Sequence, residues 1–362
     1  MGTTIVCCNE RNSYKHDNSH IYQINRYVKC TKKDPQLLPE SQRDTVSSSL
    51  STNSNINNNS NQVNQKKQYL KNKNGEFQIL NYDIDEEYFI ELRVVFPIIR
   101  TIEGMSELNM DKKLFLCGIS PKQKNEGSFL LQINLDLKGL NSDEQIKPEI
   151  LINSHYPHIY PSLIHDKNEK ILCIGGKGQT LCELYNLSMN KWIALPELPE
   201  ERYKCTLCLD NKGDYVYLFG GINSEIDIKE NEKEKEGEIN ILRMNLLKQL
   251  IWENIIVKNN QRNITINRIS SGAFTYKYDE DFIFIVGGED LDENMSDTVI
   301  RFSIKNLKFE LTGVKLKNKA VFLNQSGVAL NDKTYCFIDS FNNIHLIERN
   351  DCIPIDYHPN EN

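Results

Sequence analysis

The chain has 362 residues with 43 Lys and Arg against 50 Asp and Glu, a net charge of −7, and 39% hydrophobic residues. Residues 1–75 carry 11 Lys/Arg against 5 Asp/Glu and the remainder 32 against 45, so a basic head precedes an acidic body. That balance argues against a general nucleic-acid binder, which needs a basic face to neutralise phosphates. No apolar stretch reaches the length that spans a bilayer, and ten cysteines without a secretory signal read as reduced, buried small hydrophobes.

The chain opens Met1-Gly2-Thr3-Thr4-Ile5-Val6-Cys7-Cys8. Once Met1 is removed, Gly2 is a candidate for myristoylation, with Cys7 and Cys8 as candidates for palmitoylation. One acyl chain binds a membrane only marginally, so the paired signal matters. The expectation is a cytoplasmic protein with peripheral attachment to a membrane through its N-terminus. Val46–Gln65 follows as a Ser/Asn tract with almost nothing to bury, so residues 1–75 are expected to be a polar, mostly disordered segment.

From residue 76 to 357 the pattern changes. Four short apolar runs end in glycine: Leu114–Gly118 (LFLCG), Ile171–Gly176 (ILCIGG), Val216–Gly221 (VYLFGG) and Ile283–Gly288 (IFIVGG). A strand followed by a glycine pair, recurring every 40–70 residues, is a repeat architecture and points to an all-β propeller of four-stranded antiparallel blades. Inner hairpins are expected near 100–118, 160–176, 202–221, 268–288 and 324–340, and a sixth blade shared by the two chain ends would close the ring. The expected count is six. The pairs Gly175/Gly176, Gly220/Gly221 and Gly287/Gly288, and Gly118 in the first unit, mark where a strand ends against the next blade and needs positive φ or close backbone approach.

Aromatic pairs seven residues apart recur on the outer strands as Tyr82/Phe89, Tyr185/Trp192 and Phe302/Phe309, with Trp252 alone in the unit between. A turn centred between the members puts both rings on one hairpin, wedged between blades. An arginine stands 18 to 20 residues before the last glycine of three units: Arg100, Arg202 and Arg268. With these residues the chain resembles the kelch-repeat family, whose unit is an apolar strand, a glycine pair, a tyrosine and a tryptophan.

That resemblance implies a partner-binding rim made by the loops after the glycine pairs and the loops leading into each blade. Here the rim collects Ile222–Gly237, Leu195–Arg202, Glu253–Asn267 and Glu289–Asp297, with Arg100, Arg202, Glu225, Glu253, Arg268 and Glu289 as candidate contacts for a protein of unknown identity. Glu225–Glu238 alternates Glu and Lys and reads as a solvated loop. Some kelch propellers are enzymes, including a copper oxidase, and others are substrate receptors of ubiquitin ligases with an N-terminal BTB domain. No stretch here reproduces the oxidase ligands, and residues 1–75 are too short and polar for a BTB domain.

No metal or cofactor site is expected. Cys205 and Cys208 lie three apart on a strand and face opposite ways, so they do not form a ligand pair. His155-Tyr156-Pro157-His158 is the only local concentration of histidine, with no acid or nucleophile beside it in sequence. The sequence reading is therefore a non-catalytic interaction scaffold, with a kelch-fold enzyme and a ligase substrate receptor lacking its own BTB domain as alternatives.

Overall fold

The computed structural model describes residues 23–28, 69–71, 76–83, 88–95 and 101–352, except 111–112, 121–125, 135–144, 167, 224–237, 249, 259–267, 277–278, 291, 323–326, 330–331 and 340–343 within the last span. It is an all-β propeller with almost no helix; a 3-10 turn at Arg349–Asp351 is the one helical element among the described residues.

Three consecutive meanders carry the repeat. The first comprises Ser162–His165, Lys170–Ile174, Cys182–Asn186 and Lys191–Leu195. The second comprises Thr206–Leu209, Tyr215–Phe219, Glu238–Asn245 and Trp252–Lys258. The third comprises Gly272–Phe274, Phe282–Val286, Thr298–Ser303 and Lys308–Lys315. Each is antiparallel in chain order. A five-stranded sheet precedes them, ordered Tyr69–Lys71, Thr101–Met110, Lys113–Ile119, Phe129–Asn134 and Glu149–Ile150, and a three-stranded sheet of Val328–Ala329, Thr334–Ile338 and Ile344–Glu348 follows.

Four four-stranded blades are present, not the six expected. The fourth is built from Gln23–Val28, Glu76–Asp83, Tyr88–Val95 and Gln145–Ile146, with its last pairing parallel. The units at either end depart from the four-strand plan. Tyr69–Lys71 gives the first a fifth strand, and the last ends at three described strands. Covering edge backbone groups outweighs keeping the repeat regular. The strand Lys113–Ile119 also runs straight through Gly118, which pairs with Phe129, so the first unit lacks the glycine turn.

The second strand of each meander explains why the apolar runs are unbroken rather than alternating. Ile171–Ile174, Val216–Phe219 and Ile283–Val286 are buried on both faces, each face meeting a different neighbour. Ile171 and Cys173 pack with Leu108, Phe115 and Leu130 of the preceding sheet. Leu172 and Ile174 pack forward on Val216, Leu218 and Met244. Tyr217 and Phe219 then meet Ile283, Ile285, Phe302 and Phe309, and Phe284 and Val286 meet Phe322, Phe337 and Ile347. Among the described residues the core forms four layers, running from the five-stranded sheet through the three meanders to the last sheet.

The aromatic pairs occupy these layers as cross-strand partners. Tyr185 faces Trp192 and Phe302 faces Phe309, each with ring centroids 5.1 Å apart. Tyr82 faces Phe89 in the backbone register of its own sheet. The Trp192 Nε1–H donates to Ile152 O at 2.7 Å across one layer, and Trp252 Nε1–H donates to Pro196 O at 3.1 Å across the next. Trp192 is 2% exposed, whereas Trp252 is half-buried.

Trp192→Ala should therefore lower the unfolding free energy by about 3–5 kcal/mol, the range for a buried aromatic. Trp252→Ala should cost less. Denaturant unfolding of both variants checks the order, and the reverse order would show that the first layer is not a core layer.

Candidate protein-binding rim

In each meander the glycine pair ends the second strand and hands the chain to the rim. Gly220 has φ +56° and Gly221 φ +94°, in the region that side chains other than glycine's rarely adopt. A Cβ at Gly220 would stand 1.9 Å from Arg268 O, the carbonyl of the residue that opens the next meander. The second glycine donates its N–H to that same kind of carbonyl: Gly176 to Arg202 O at 3.0 Å, Gly221 to Arg268 O at 3.2 Å and Gly288 to Ala320 O at 2.7 Å.

The residues after each pair return to the strand leading into their own blade. Lys177 N–H donates to Ile159 O at 2.7 Å, Ile222 exchanges bonds with Tyr203, and Glu289 exchanges bonds with Ile269. One residue further, Gly104, Tyr160, Lys204 and Ser270 all have positive φ, between 53° and 61°. They form a hydrogen-bonded relay from unit to unit: Tyr160 N–H to Gly104 O, Lys204 N–H to Tyr160 O, Ser270 N–H to Lys204 O, and Phe322 N–H to Ser270 O. Two residues beyond, Ser162 Oγ–H donates to Cys205 O at 2.8 Å and Thr206 Oγ1–H to Ser271 O at 3.1 Å, repeating the link through hydroxyls.

The arginines brace this frame. Arg268, 3% exposed, donates to Gly287 O at 2.8 Å, Thr298 O at 3.1 Å and Thr298 Oγ1 at 2.6 Å. Burial lowers its pKa to about 10, which leaves it charged at neutral pH. Arg202 donates to Gly220 O at 3.1 Å and pairs with Glu200, whose second oxygen accepts from Asn223. The relay sets the register of these positions: Arg202 and Arg268 each precede the positive-φ residue by two. By the same count the equivalents are Ile102 and His158, and Ala320 matches them in the last unit through its carbonyl, which accepts from Gly288 N–H. Arg100 and Glu225 lie outside the described residues, as do Gly2, Cys7 and Cys8.

Of the remaining candidates, Glu289 is half-buried at the rim. Burial raises its pKa, Lys204 opposes that, and Glu293 and Asp290 reinforce it. Glu253 is exposed on the outer strand Trp252–Lys258 and accepts from Arg243 Nε at 2.7 Å, away from the positive-φ residues. Lys177 Nζ lies 5.8 Å from the Tyr203 ring and Lys204 Nζ 5.9 Å from the Tyr160 ring, crosswise over one blade boundary.

Sequence reasoning missed Glu183. This fully buried carboxylate, on the strand Cys182–Asn186, gathers four donors from the segment 155–158. It accepts from His155 N–H at 3.1 Å, His155 Nδ1 at 2.6 Å, Tyr156 N–H at 3.2 Å and His158 Nε2 at 3.0 Å. Burial alone would raise its pKa, but the bonds from His158 and His155 outweigh it and hold the carboxyl below its ordinary range. No sequence motif carries this, because acid and histidines meet only across a strand turn. A smaller counterpart closes the last sheet, where Asp339 stands in place of a glycine and pairs with His345 Nε2 at 3.0 Å, both buried.

Cys205 and Cys208 face opposite layers as the strand alternation requires. The seven cysteines among the described residues are unpaired by disulfides and buried, and burial pushes Cys205 up to about 12. Among the described residues no group of His, Cys, Asp and Glu is arranged to hold a metal ion. No family model matches the chain, and a search of curated proteins found no match.

The depressed Glu183 pKa gives a signed expectation. Its contribution to stability is fully present above the unfolded value near 4.5 and is lost as pH falls through the folded value. Melting temperatures should drop on acidification below about pH 4.5, and Glu183→Gln should lack that component. Parallel pH profiles of the two proteins would refute the pairing.

Proposed function

We propose that this chain is a kelch-type, non-catalytic scaffold that binds a protein partner through the rim described above. The observation that supports the reading is the contrast between backbone and side chain at equivalent positions. The same hydrogen bonds recur in three meanders, yet the residues after the glycine pairs are Lys177, Ile222 and Glu289, and those at positive φ are Tyr160, Lys204 and Ser270. A fixed frame carrying a cation, an aliphatic group and a carboxylate at matched places is how a scaffold presents a distinctive surface. Cytoplasmic placement through acylation of Gly2 with Cys7 or Cys8 belongs to the same proposal.

The test is affinity capture from cell extract with the full chain, with the captured protein identified by mass spectrometry. Lys177→Glu combined with Glu289→Lys should weaken capture by tenfold or more, each swap being worth about 1 kcal/mol or above at a contact. Lys248→Glu, in an exposed turn on the opposite side, should leave capture unchanged. Loss with Lys248→Glu but not with the rim pair would move the site to the other face. Equal membrane recovery of wild type and Gly2→Ala would remove the acylation part.

A further inference from the structure

The rim frame uses a side-chain donor at the same place in three successive meanders: His158 to Gly175 O, Arg202 to Gly220 O and Arg268 to Gly287 O. Arginine is permanently charged and can serve several acceptors at once. Histidine can do so only when it carries two protons. His158 is fully buried, with Nδ1 2.7 Å from Gly175 O and Nε2 3.0 Å from Glu183 Oε2. Both acceptors are lone-pair oxygens, so both ring nitrogens must carry hydrogen for both contacts to be bonds. Gln179 Nε2 also stands 3.0 Å from Nδ1; one of its hydrogens goes to Pro157 O at 2.7 Å and the other can be given to Nδ1 only when that nitrogen is unprotonated, so loss of the proton trades the Gly175 contact for one from Gln179.

From this geometry we propose that the segment His155–His158 is a proton-gated binding element of the rim, held in place while His158 is an imidazolium and loosened when it loses a proton. The proposal rests on the rim reading above and adds its regulation. Glu183 is the hub. Its carboxylate holds the backbone N–H groups of His155 and Tyr156 as well as both imidazoles, and the His155 side chain is 56% exposed at the rim. A neutral His158 keeps one of its two bonds. If the ring turns toward Gly175 O, the carboxylate loses its buried cation and its grip on the segment weakens. If it turns toward Glu183, the link from the segment to the glycine pair is lost.

Apart from His155, the groups facing the site supply no substitute charge. His155 shares Glu183 from the segment itself. On the strand Lys170–Ile174, Cys173 interacts with Glu183; burial first, then contact with Cys117, raises its thiol far above the ordinary value, so it stays neutral. The preceding sheet contributes hydroxyls: Ser128 Oγ accepts from His158 N–H at 2.6 Å, and Ser154 Oγ accepts from Ser128 N–H at 2.7 Å. The equivalent joints at Arg202 and Arg268 should be insensitive to pH across the same range.

Amide hydrogen exchange on the full chain, normalised to the intrinsic rate at each pH, tests this. Loss of one buried hydrogen bond corresponds to about tenfold, so protection of the His155 and Tyr156 amides should fall by roughly that factor across the histidine range, about pH 5 to 8. Protection of the Gly221 amide, at an arginine joint, should stay level. His158→Arg should flatten the response. Should that variant not fold, nitrogen NMR of the wild-type ring decides: two protonated ring nitrogens at the acid end and one at the other support the gate, and a single proton throughout overturns it. Partner capture should fall about tenfold over the same interval in wild type. Constant protection alongside capture that still fails in the Lys177/Glu289 variant would sink the gate and leave the rim reading standing. Capture unaffected by that variant, with protection that does respond to pH, would do the opposite.

Discussion

Each of the three meanders joins its neighbours through one residue forced into left-handed backbone geometry where its innermost strand begins. Tyr160, Lys204 and Ser270 hold that geometry without being glycine, a conformation that costs of order 1–3 kcal/mol and survives only where surrounding bonds over-determine it. The bonds are there: an N–H handed to the preceding unit, a carbonyl offered to the following one and, after Tyr160 and Lys204, a hydroxyl link two residues on. The turn aims the next four residues into the centre of the sheet stack. The glycine pair then has to pass against the neighbouring backbone so closely that a Cβ does not fit.

This explains which features were legible in the sequence. Gly175/Gly176, Gly220/Gly221 and Gly287/Gly288 stand out because the joint tolerates nothing else, and Tyr185/Trp192 and Phe302/Phe309 because both members of a cross-strand pair must fill one layer. Blade number was not legible. Gln145–Ile146 and Glu149–Ile150 are two residues each, too short to show a period, and they decide how the first units are completed. The glycine turn expected at Gly118 is absent because the strand there runs on and pairs Gly118 with Phe129. Glu183 was invisible for another reason: its partners lie 25 to 28 residues earlier and meet it only after two strands pair.

The layered core also separates two kinds of sequence change. A substitution at Ile171 or Cys173 is felt by the preceding sheet and one at Leu172 or Ile174 by the following meander, so neighbouring residues of one strand report on different joints. Lys177, Ile222 and Glu289 contribute their backbone to the frame.

The buried thiols give the molecule a set of internal reporters. Cys117, Cys173 and Cys182, Cys205 and Cys208, and Cys336 and Cys352 fall in four different units, and the described part of the third meander has none. A thiol reagent reaches such a group only when its layer opens, because the reactive thiolate is disfavoured by burial. Labelling rates resolved by residue would thus give the opening free energy of each joint separately. In an oxidising setting, the same distribution would let a partly opened chain form cross-links between units that the native layers keep apart.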